Sequence, residues 1–416
     1  MASPLANPAQ QAIEDRALAL LERPEMARAR MAVTMLWQNV SAWPSRDQAD
    51  RFDNMIEEYL FHHAMRAANG DPARPEVAAF MAPARHWAGR RVPGSRWAGD
   101  SPDFVYRTIP IRHGKRYRII GVATCARPPS VNWSLMADST AAPVTLALLD
   151  SLDMDIEADG SFVITLDDSP AEGRRNHIQT LPGSEFLMVR DALGDWIGQS
   201  ANALAVERIG PALPPRSDED MARHCARIAV EGVYYTYYCT RSGAGQPPNQ
   251  LRPPMSSGAF GGMATQWGTK GNLDLAPGEA LIVRCNHAGA GFRNITLTDG
   301  FHMSIEYWAR TSSFNMEQMA ADEDGTFTFV VAHEDPGVHN WLDTGGLRRT
   351  ILGKRWQAFN SDGAHDDPWM TVASVRMGDL EAELGRIGGV RRIDADGRQA
   401  QLALRQEGFR QRWLLD

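Results

Sequence analysis

The chain carries one strand-and-turn pattern twice, and this repetition constrains its fold more than any other feature of the sequence. The later copy runs from Asp324 to Trp356. It begins with an Asp-Gly turn, continues through the β-branched and aromatic run Thr326 to Val331, and is broken by Asp335-Pro336-Gly337. Proline has no amide hydrogen to donate and glycine adopts backbone angles closed to other residues, so the tripeptide ends the strand. The pattern predicts a β-strand that opens into a polar loop.

An earlier copy begins at Asp159-Gly160, which precedes Asp324-Gly325 by 165 positions (324 − 159 = 165). Arg190 and Arg355 close the two copies at the same spacing (355 − 190 = 165). A turn, a strand, a proline break, an asparagine and a closing arginine in the same order suggest two related β modules. The alternative is that two β-hairpins look alike by chance, because strand patterns are degenerate.

The sequence around the two copies predicts a mainly β protein of the α+β type. We expect two antiparallel β-sandwich modules of jelly-roll-like form, with an N-terminal helical segment and helical connections. The predicted domains are a helical segment at 1–92, a first sandwich at 93–208, a linker helix with a Gly/Pro-rich loop at 209–262, a second sandwich at 263–362 and a helical tail at 363–416. Ser217, with Asp220 three residues on, is predicted to cap the linker helix, which should run from Asp218 to about Tyr238. The Gly/Pro-rich loop that follows is long for an unstructured connection, so it is either a mobile lid or a disordered insert.

Composition and charge exclude several classes of function. The 416 residues are 43% hydrophobic and 23% charged, which is ordinary for a globular protein. A net charge of −8 without basic blocks argues against nucleic acid as a partner. No apolar run approaches the ~20 residues of a membrane span, and the N-terminus lacks the features of a signal peptide, so we expect no membrane partner. The cysteines form no CxxC pair, which favours a reducing, cytoplasmic location: Cys125, Cys225, Cys239 and Cys285.

Motifs that bind common cofactors are absent from the sequence. It has no GxGxxG after a strand, no Walker-type loop, no GxSxG elbow, no HExxH and no EF-hand loop. We therefore expect no organic cofactor.

The candidate site residues lie in the later copy and beside it. The predicted catalytic residues are His333, as a base near neutral pH, Arg355, which would hold an anionic or carbonyl oxygen, and Asp343. Five further residues are predicted to contact a substrate: Asn340, Trp341, Trp356, Arg284 and His287. A structural role stays open for each, since Trp341 could belong to the core, Arg355 could pair with Asp343, and Asn340 could satisfy loop backbone.

Two imidazoles and a carboxylate in the same stretch could hold a divalent ion. These residues are His333, Asp335 and His339. Asp335 precedes Pro-Gly and would more commonly cap the turn with its own side chain, so we expect no metal.

The later copy also resembles a known family. Its Asp-Gly-x-x-x-x-Val-Val run, Asp335-Pro336-Gly337, Asn340-Trp341-Leu342 and Arg355 are similar to the bacterial family catalogued only as domain of unknown function twelve-fourteen. Two upstream segments resemble it as well, Pro102-Asp103 with Tyr106 and Thr311 to Asn315. The resemblance covers about Gly94 to Trp356. It implies an antiparallel β-sandwich or jelly-roll fold, often with two β domains in one chain, and no settled activity.

Three functions are consistent with these patterns. The first is an intracellular enzyme of small-molecule metabolism, a lyase or hydrolase without organic cofactor, acting on an apolar or aromatic substrate with a carbonyl, hydroxyl or acid group. The second is a non-catalytic β-sandwich that binds carbohydrate or another small ligand through tryptophans, which predicts exposed Trp rings. The third is an assembly role through the terminal helices, and a homo-oligomer is possible in each case.

Overall fold

The computed structural model describes residues 3–40, 46–123, 128–137, 143–260, 262–263, 265–359 and 366–413. The helices are α1 (Pro8–Leu21), α2 (Pro24–Val40), α3 (Phe52–Ala68), α4 (Asp218–Ala244), α5 (Leu380–Ile387) and α6 (Ala395–Trp413). Short 3-10 helices lie at Arg46–Arg51, Ser151–Asp153, Ser257–Phe260 and Met377–Asp379. No helix within these described ranges combines the length and the apolar character needed to cross a bilayer.

Strands β1 to β11 belong to the first half of the chain. They are β1 (Ala78–Phe80), β2 (Arg85–Trp87), β3 (Arg90–Val92), β4 (Phe104–Pro110), β5 (Arg116–Val122), β6 (Ser130–Ala137), β7 (Val144–Asp150), β8 (Ser161–Asp167), β9 (His177–Gln179), β10 (Ser184–Ala192) and β11 (Ala203–Ile209). Strands β2 and β3 form a separate two-stranded sheet. The others form the first sandwich, whose sheets have the strand orders β1-β4-β10-β6-β7 and β11-β5-β8-β9.

Strands β12 to β21 form the second sandwich. They are β12 (Gln250–Leu251), β13 (Met255–Ser256), β14 (Trp267–Asp274), β15 (Glu279–Cys285), β16 (Phe292–Thr298), β17 (Ser313–Asn315), β18 (Phe327–Ala332), β19 (Trp341–Asp343), β20 (Arg349–Gln357) and β21 (Met370–Arg376). One sheet has the order β12-β14-β20-β16-β17, with β13 also on β14, and the other has the order β19-β18-β15-β21. The predicted fold class, two antiparallel β-sandwich modules with helical additions, is confirmed.

The two sandwiches have the same strand order. Adding ten to each number in β4-β10-β6-β7 gives β14-β20-β16-β17, and β11-β5-β8-β9 becomes β21-β15-β18-β19. Each sandwich also has one parallel pair at the same place, β8 with β9 and β18 with β19. The offset that the sequence shows between Arg190 and Arg355 is matched in the sheets, because Arg190 pairs with Asn132 and Arg355 pairs with Asn294.

Several strands lie outside the sandwich ranges predicted from the sequence. Strand β1 lies in the predicted helical segment 1–92 but pairs with β4. Strands β12 and β13 lie in the predicted linker 209–262 but pair with β14. Strand β21 lies in the predicted helical tail 363–416 but pairs with β15. These are edge strands of two to seven residues. A short edge strand gives a weak local signal because the neighbouring strand, and not its own pattern, supplies its hydrogen bonds.

Helices α1 to α4 form a layer of their own. Apolar residues of α1, α2 and α3 pack in one buried cluster with Ala222, Cys225, Ile228, Ala229 and Val233 of α4. Helix α4 begins after Ser217, whose hydroxyl accepts the backbone N–H of Asp220 at 3.1 Å, as an N-cap should. It continues past the predicted end near Tyr238 to Ala244, where Gly243 packs closely on Ile351 of β20. Helix α4 therefore joins the helical layer to the second sandwich.

A buried carboxylate joins the two sandwiches. Asp103 is fully buried; its Oδ1 accepts the Trp196 indole N–H at 3.0 Å and the Asn315 amide at 2.8 Å, and its Oδ2 accepts the Asn294 amide at 2.8 Å. Burial raises the pKa of Asp103, while these donors and the nearby guanidinium of Arg405 on α6 favour its charged form. Two segments that carry the family resemblance, Pro102-Asp103 and Thr311 to Asn315, thus meet at this junction.

Lys354 lies inside the core of the second sandwich. Its Nζ has no hydrogen-bond partner among the described residues and sits 4.9 Å above the Trp356 ring. Burial lowers the pKa of Lys354 from 10.5 to about 8. An amine that is charged at neutral pH in an apolar core costs stability.

We expect Lys354→Met to raise the free energy of unfolding at pH 7 by roughly 1–3 kcal/mol. Because the folded pKa lies below the unfolded value, the wild-type protein should gain stability as pH rises from about 8 to 10.5, and the variant should gain less. Urea unfolding at pH 7 and pH 10 measures both effects. Lys115→Met, at a half-buried turn position of the first sandwich, is the control. An unchanged or lower stability at pH 7 would contradict the expectation.

Candidate functional site

A cavity lies between the two sandwiches, where the outer face of β4-β10-β6 meets the outer face of β14-β20-β16. We call it the inter-sandwich cavity. It has two parts, which we name by the side chains that distinguish them. The polar part, of about 400 Å³, is the one lined by Asp100, Arg252 and Lys270, and the apolar part has about 190 Å³. Both parts are lined by Arg190, Arg355 and Tyr235. His62 and Arg66 line the apolar part together with a set of aromatic and methionine side chains: Phe80, Trp97, Phe104, Tyr106, Met136, Phe186 and Met188.

Arg190 and Arg355 reach the cavity from equivalent strands of the two sandwiches. Arg190 donates to the Ser134 hydroxyl at 2.9 Å, and Arg355 donates to the Gly99 carbonyl at 2.8 Å with its guanidinium 5.9 Å from the centre of the Phe104 ring. Neither arginine forms an ion pair with any residue that the structure describes. Burial lowers the pKa of Arg190, and the charge of Arg355 lowers it further. Two like charges therefore face one cavity without a carboxylate between them.

Lys270 on β14 and Arg252 are further cations in the lining of the polar part. The Nζ of Lys270 donates to the Ser242 hydroxyl at 3.3 Å, which is a long bond. Burial lowers the pKa of Lys270 to about 8, and the charges of Arg355 and Arg252 act in the same direction. Cys239 and Tyr235 of α4 line the same wall. Burial raises the pKa of both, so both keep their protons at neutral pH.

The acid that lines the polar part does not balance these charges. Asp100 is buried, and its carboxylate accepts the backbone N–H of Ser304 at 2.9 Å and the Ser304 hydroxyl at 2.5 Å. Burial raises the pKa of Asp100 to about 6. The cavity thus carries an excess of positive charge, and a buried excess of this kind is relieved when an anion binds.

Glycines keep the floor of the cavity open. Gly353 lies opposite Lys270 and Gly268 lies opposite Arg355 in the β14–β20 pairing, and both line the polar part. A Cβ on Gly353 would meet no atom within 4 Å. Because the positions opposite the two cations have no side chain, the head groups of Lys270 and Arg355 border open space.

The carbonyl of Gly99 holds Arg355 in place, and position 99 requires glycine. Its φ is +86°, and a Cβ there would lie 2.6 Å from the ring of His302. His302 itself has φ +63°, is buried, and lines the polar part of the cavity. Burial lowers the pKa of His302 well below its ordinary value, so the ring is neutral. A left-handed backbone at a non-glycine residue is a strain that often marks a ligand site.

The structure does not bring the three predicted catalytic residues together. His333 is held at both nitrogens, since Nδ1 lies 2.8 Å from the Thr344 hydroxyl and Nε2 lies 3.0 Å from the Leu275 carbonyl. Asp343 pairs with Arg310 at 3.0 Å, and not with Arg355. His333 and Asp343 belong to the β18–β19 end of the other sheet. Of the three, only Arg355 lines the inter-sandwich cavity.

The five predicted contact residues hold loops and sheets together. The Asn340 side chain bonds Ala320 N and O at 2.8 and 2.7 Å and Thr328 O at 3.1 Å. The indoles of Trp341 and Trp356 donate to backbone carbonyls at 3.0 Å, and Trp356 is fully buried. Arg284 pairs with Asp324 at 2.9 Å. His287 is exposed, and its Nδ1 accepts the Gly289 N–H at 2.8 Å. None of these five lines the cavity.

The three residues considered for a metal have other partners. Asp335 accepts the Gly337 N–H at 2.9 Å and pairs with Arg398 at 2.9 Å, as expected of a turn cap. His339 lies beside Asn340 Oδ1 at 3.1 Å. Across the described part of the chain, no group of three or more His, Cys, Asp or Glu side chains is placed to hold a metal ion.

Most residues of the cavity are not among those predicted from the sequence, although one signal was available. Arg190 marks the repeat in the sequence, and Lys270, Tyr235 and Cys239 are not among the predicted site residues. The chain has 43 basic residues, of which Lys115, Lys270 and Lys354 are the lysines, leaving 40 arginines (43 − 3 = 40). In so arginine-rich a chain, each lysine is a candidate for a role that a guanidinium cannot fill.

Comparison with known proteins identifies the fold and no activity. No model of a known protein family matches the chain, and no curated protein matches it. An uncharacterized protein from Burkholderia cenocepacia has a solved structure that is 22% identical, with a TM-score of 0.72, covering 88% of this chain and 100% of its own. This similarity shows a shared fold.

Two further solved structures are more distant. The VPA0106 protein from Vibrio parahaemolyticus is 12% identical with a TM-score of 0.40, covering 77% of this chain and 98% of its own. A mutant of Bacillus subtilis oxalate decarboxylase is 13% identical with a TM-score of 0.13, covering 76% of this chain and 79% of its own. At these TM-scores the two matches support neither a fold nor a function.

Proposed function

We propose that this protein binds a small organic acid with an apolar or aromatic body in the inter-sandwich cavity. The observation that carries the proposal is the pair Arg190 and Arg355. They occupy equivalent positions in the two sandwiches, face one cavity, and have no carboxylate partner among the described residues. Guanidinium groups bind carboxylates through paired, charge-assisted hydrogen bonds, so an acid group is the ligand that this pair suits best.

The shape of the cavity supports an amphipathic ligand. Both arginines line the polar and the apolar part, so they stand where the two parts meet. An acid group held there would leave the body of the ligand in the apolar part, among Phe80, Tyr106 and Met188. Its volume of about 190 Å³ suits a single aromatic ring, since an engineered cavity of about 150 Å³ holds benzene.

We further propose that the protein acts on this ligand as a cofactor-independent enzyme of the lyase or hydrolase type. The reaction would take place in the cavity and not at His333, because both ring nitrogens of His333 already have partners. The alternative, carbohydrate binding through tryptophans, has less support. Among the described tryptophans only Trp369 is exposed, at 37%, whereas Trp37, Trp133 and Trp356 are fully buried.

We make three further proposals, which concern the location of the protein, its family and its metabolic role. We propose a cytoplasmic location, supported by Cys225, Cys239 and Cys285, which form no disulfide in the described chain. Membership of the bacterial family of domain of unknown function twelve-fourteen, and a role in small-molecule metabolism, are proposed on the resemblance given above.

Isothermal titration calorimetry with cinnamate and its neutral isostere cinnamamide tests the proposed function. We expect cinnamate to bind and cinnamamide to bind at least about 10-fold more weakly, because the amide has the same ring but no charge for the arginines. Inorganic phosphate serves as a third probe and should bind more weakly than cinnamate, since it cannot use the apolar part. Equal affinity for cinnamate and cinnamamide, or no binding of either, would contradict the proposal.

Filling the cavity floor should weaken binding without unfolding the protein. A side chain at Gly353 points into open space, and valine suits a strand, so we expect Gly353→Val to retain or exceed the wild-type Tm. Its two methyl groups would occupy the space between Lys270 and Arg355, so cinnamate affinity should fall by about 10-fold or more. Calorimetry and thermal melting measure the two effects. Gly378→Val, at a site outside the cavity that is also open, should leave affinity unchanged.

A further inference from the structure

Lys270 differs from the other cations of the inter-sandwich cavity in its chemistry. An amine can lose its proton and act as a nucleophile, whereas a guanidinium stays protonated. The chain places arginine at Arg190, Arg252 and Arg355 but lysine at 270, one of three lysines in 416 residues. If positive charge alone were needed on this wall, arginine would serve, as it does at the neighbouring positions.

The position of Lys270 suits attack on a bound acid. It lies opposite Gly353 and is therefore the diagonal neighbour of Arg355, which is two residues further along β20. Diagonal neighbours in an antiparallel pair are about 7–8 Å apart at Cα. Two long side chains at this separation can reach one small molecule. The guanidinium would bind its carboxylate, and the amine would reach a carbonyl carbon one or two bonds from that carboxylate. The glycine opposite Lys270 leaves that space open.

We propose that Lys270 is the amine nucleophile that forms an imine with a 2-oxo or 3-oxo carboxylate held by Arg190 and Arg355. This inference rests on the proposed function and names its substrate class. The Nζ lone pair attacks the carbonyl carbon, and the C=O electron pair moves to oxygen. That oxygen takes one proton from the nitrogen and one from a water molecule, which becomes hydroxide, and it leaves as water to give the iminium. In the iminium of a 3-oxo acid the bond between the first and second carbons can then break: its electrons form a double bond between the second and third carbons, the C=N electrons move to nitrogen, and carbon dioxide leaves. In the iminium of a 2-oxo acid the corresponding bond lies between the third and fourth carbons. This electron sink is what a cofactor-independent lyase requires.

The surroundings of Lys270 make its amine available at neutral pH. Its pKa of about 8 leaves about a tenth of the amine uncharged at pH 7, compared with far less for an exposed lysine. The charged groups that lower this pKa are Arg355 on β20 and Arg252, which precedes β13, after burial itself. From α4, Cys239 and Tyr235 face the same wall with their protons retained, and Ser242 accepts the amine hydrogen bond.

Reductive trapping tests the inference. The protein is incubated with 2-oxo-4-phenylbutanoate, and in a second arm with benzoylacetate, in the presence of sodium cyanoborohydride, and is then analysed by intact mass and peptide mapping. We expect one reduced adduct, on Lys270, with at least one of the two oxo acids. The arm that reacts faster identifies the 2-oxo or the 3-oxo class. The trapping rate should rise with pH around a midpoint near 8 and not near 10.5.

Variants separate this inference from the proposed function. Lys270→Arg keeps the charge and Lys270→Met keeps the length, and both should lose the adduct. Cinnamate binding is measured on the wild-type protein, so that the two tests stay independent. Lys115, on a turn of the first sandwich, and Lys354, on the core side of β20, are internal controls and should remain unmodified. If the wild-type protein binds cinnamate but forms no adduct, or if Lys115 is labelled as much as Lys270, the proposed imine is contradicted and the proposed function is not. Absence of cinnamate binding overturns the proposed function as well. If the variants misfold, the peptide map of the wild-type protein still shows whether the adduct forms on Lys270.

Discussion

Replacing both Arg190 and Arg355 with glutamine should weaken cinnamate binding by about 100-fold or more. Each guanidinium can give a carboxylate a charge-assisted hydrogen bond worth about 1.5–3 kcal/mol, and the loss of two such bonds exceeds the ~2.7 kcal/mol that 100-fold represents. Glutamine keeps a hydrogen-bond donor and much of the length but removes the charge. Because the two residues occupy equivalent positions, each single variant should lose about 10-fold. Calorimetry on the two single variants and the double variant measures the effect.

The same variants should not lose stability. Arg190 and Arg355 repel each other and have no acidic partner among the described residues, so removing either charge relieves repulsion. Arg118→Gln is a matched control, because Arg118 on β5 is exposed and pairs with Glu207 at 3.3 Å on the surface. Its affinity for cinnamate should equal that of the wild type. Wild-type affinity in the double variant would show that the anion binds elsewhere.

Replacing Asp103 with alanine should lower the free energy of unfolding by about 3 kcal/mol or more. The change removes the acceptor of the Trp196 indole N–H and of one amide N–H each of Asn294 and Asn315, and each buried N–H left unpaired costs about 1–3 kcal/mol. It also removes the negative charge that most favours the charged form of the buried Arg405 on α6. Urea unfolding measures the loss. The sandwiches that meet at Asp103 form the walls of the cavity, so cinnamate affinity should fall too.

Two further variants bracket the Asp103 result. Asp103→Asn keeps the shape and one acceptor oxygen but directs an amide N–H towards neighbouring donors, so we expect an intermediate loss of stability. Asp168→Ala removes an exposed carboxylate in the first sandwich and should change stability by no more than about 0.5 kcal/mol. A loss of less than about 1 kcal/mol for Asp103→Ala would show that the junction does not depend on this carboxylate.

The parts of the fold that the sequence predicted are those with local signals. The Asp-Gly turns before β8 and β18, the strand at Thr326 to Val331 and the N-cap at Ser217 depend on neighbouring residues, so they could be found by pattern. The duplication was visible because both copies keep the same turn and strand. Edge strands such as β1 and β21 were missed because their partners are distant in sequence. The length of α4 beyond Tyr238 was missed for a similar reason, since its last turn packs on Ile351.

The candidate site was harder to predict because no local pattern defines it. The site was predicted in the loop after β18 because that loop is rich in His, Asn, Trp and Asp. The polar atoms of Asn340 and Trp341, however, form hydrogen bonds with backbone groups. Arg190, Tyr235, Lys270 and Arg355 come from both sandwiches and from α4, and only their packing brings them to one cavity. The 165-residue spacing of Arg190 and Arg355 marked the duplication, but it did not reveal that the two side chains face each other's module.

A crystal structure of the protein in complex with cinnamate would test the location of the site most directly. We expect the carboxylate within about 3 Å of guanidinium nitrogens of both Arg190 and Arg355, with the ring among Phe80, Tyr106 and Met188. Cinnamate bound beside His333 and Trp341, or an empty inter-sandwich cavity at a ligand concentration that saturates the calorimetric titration, would contradict the proposal.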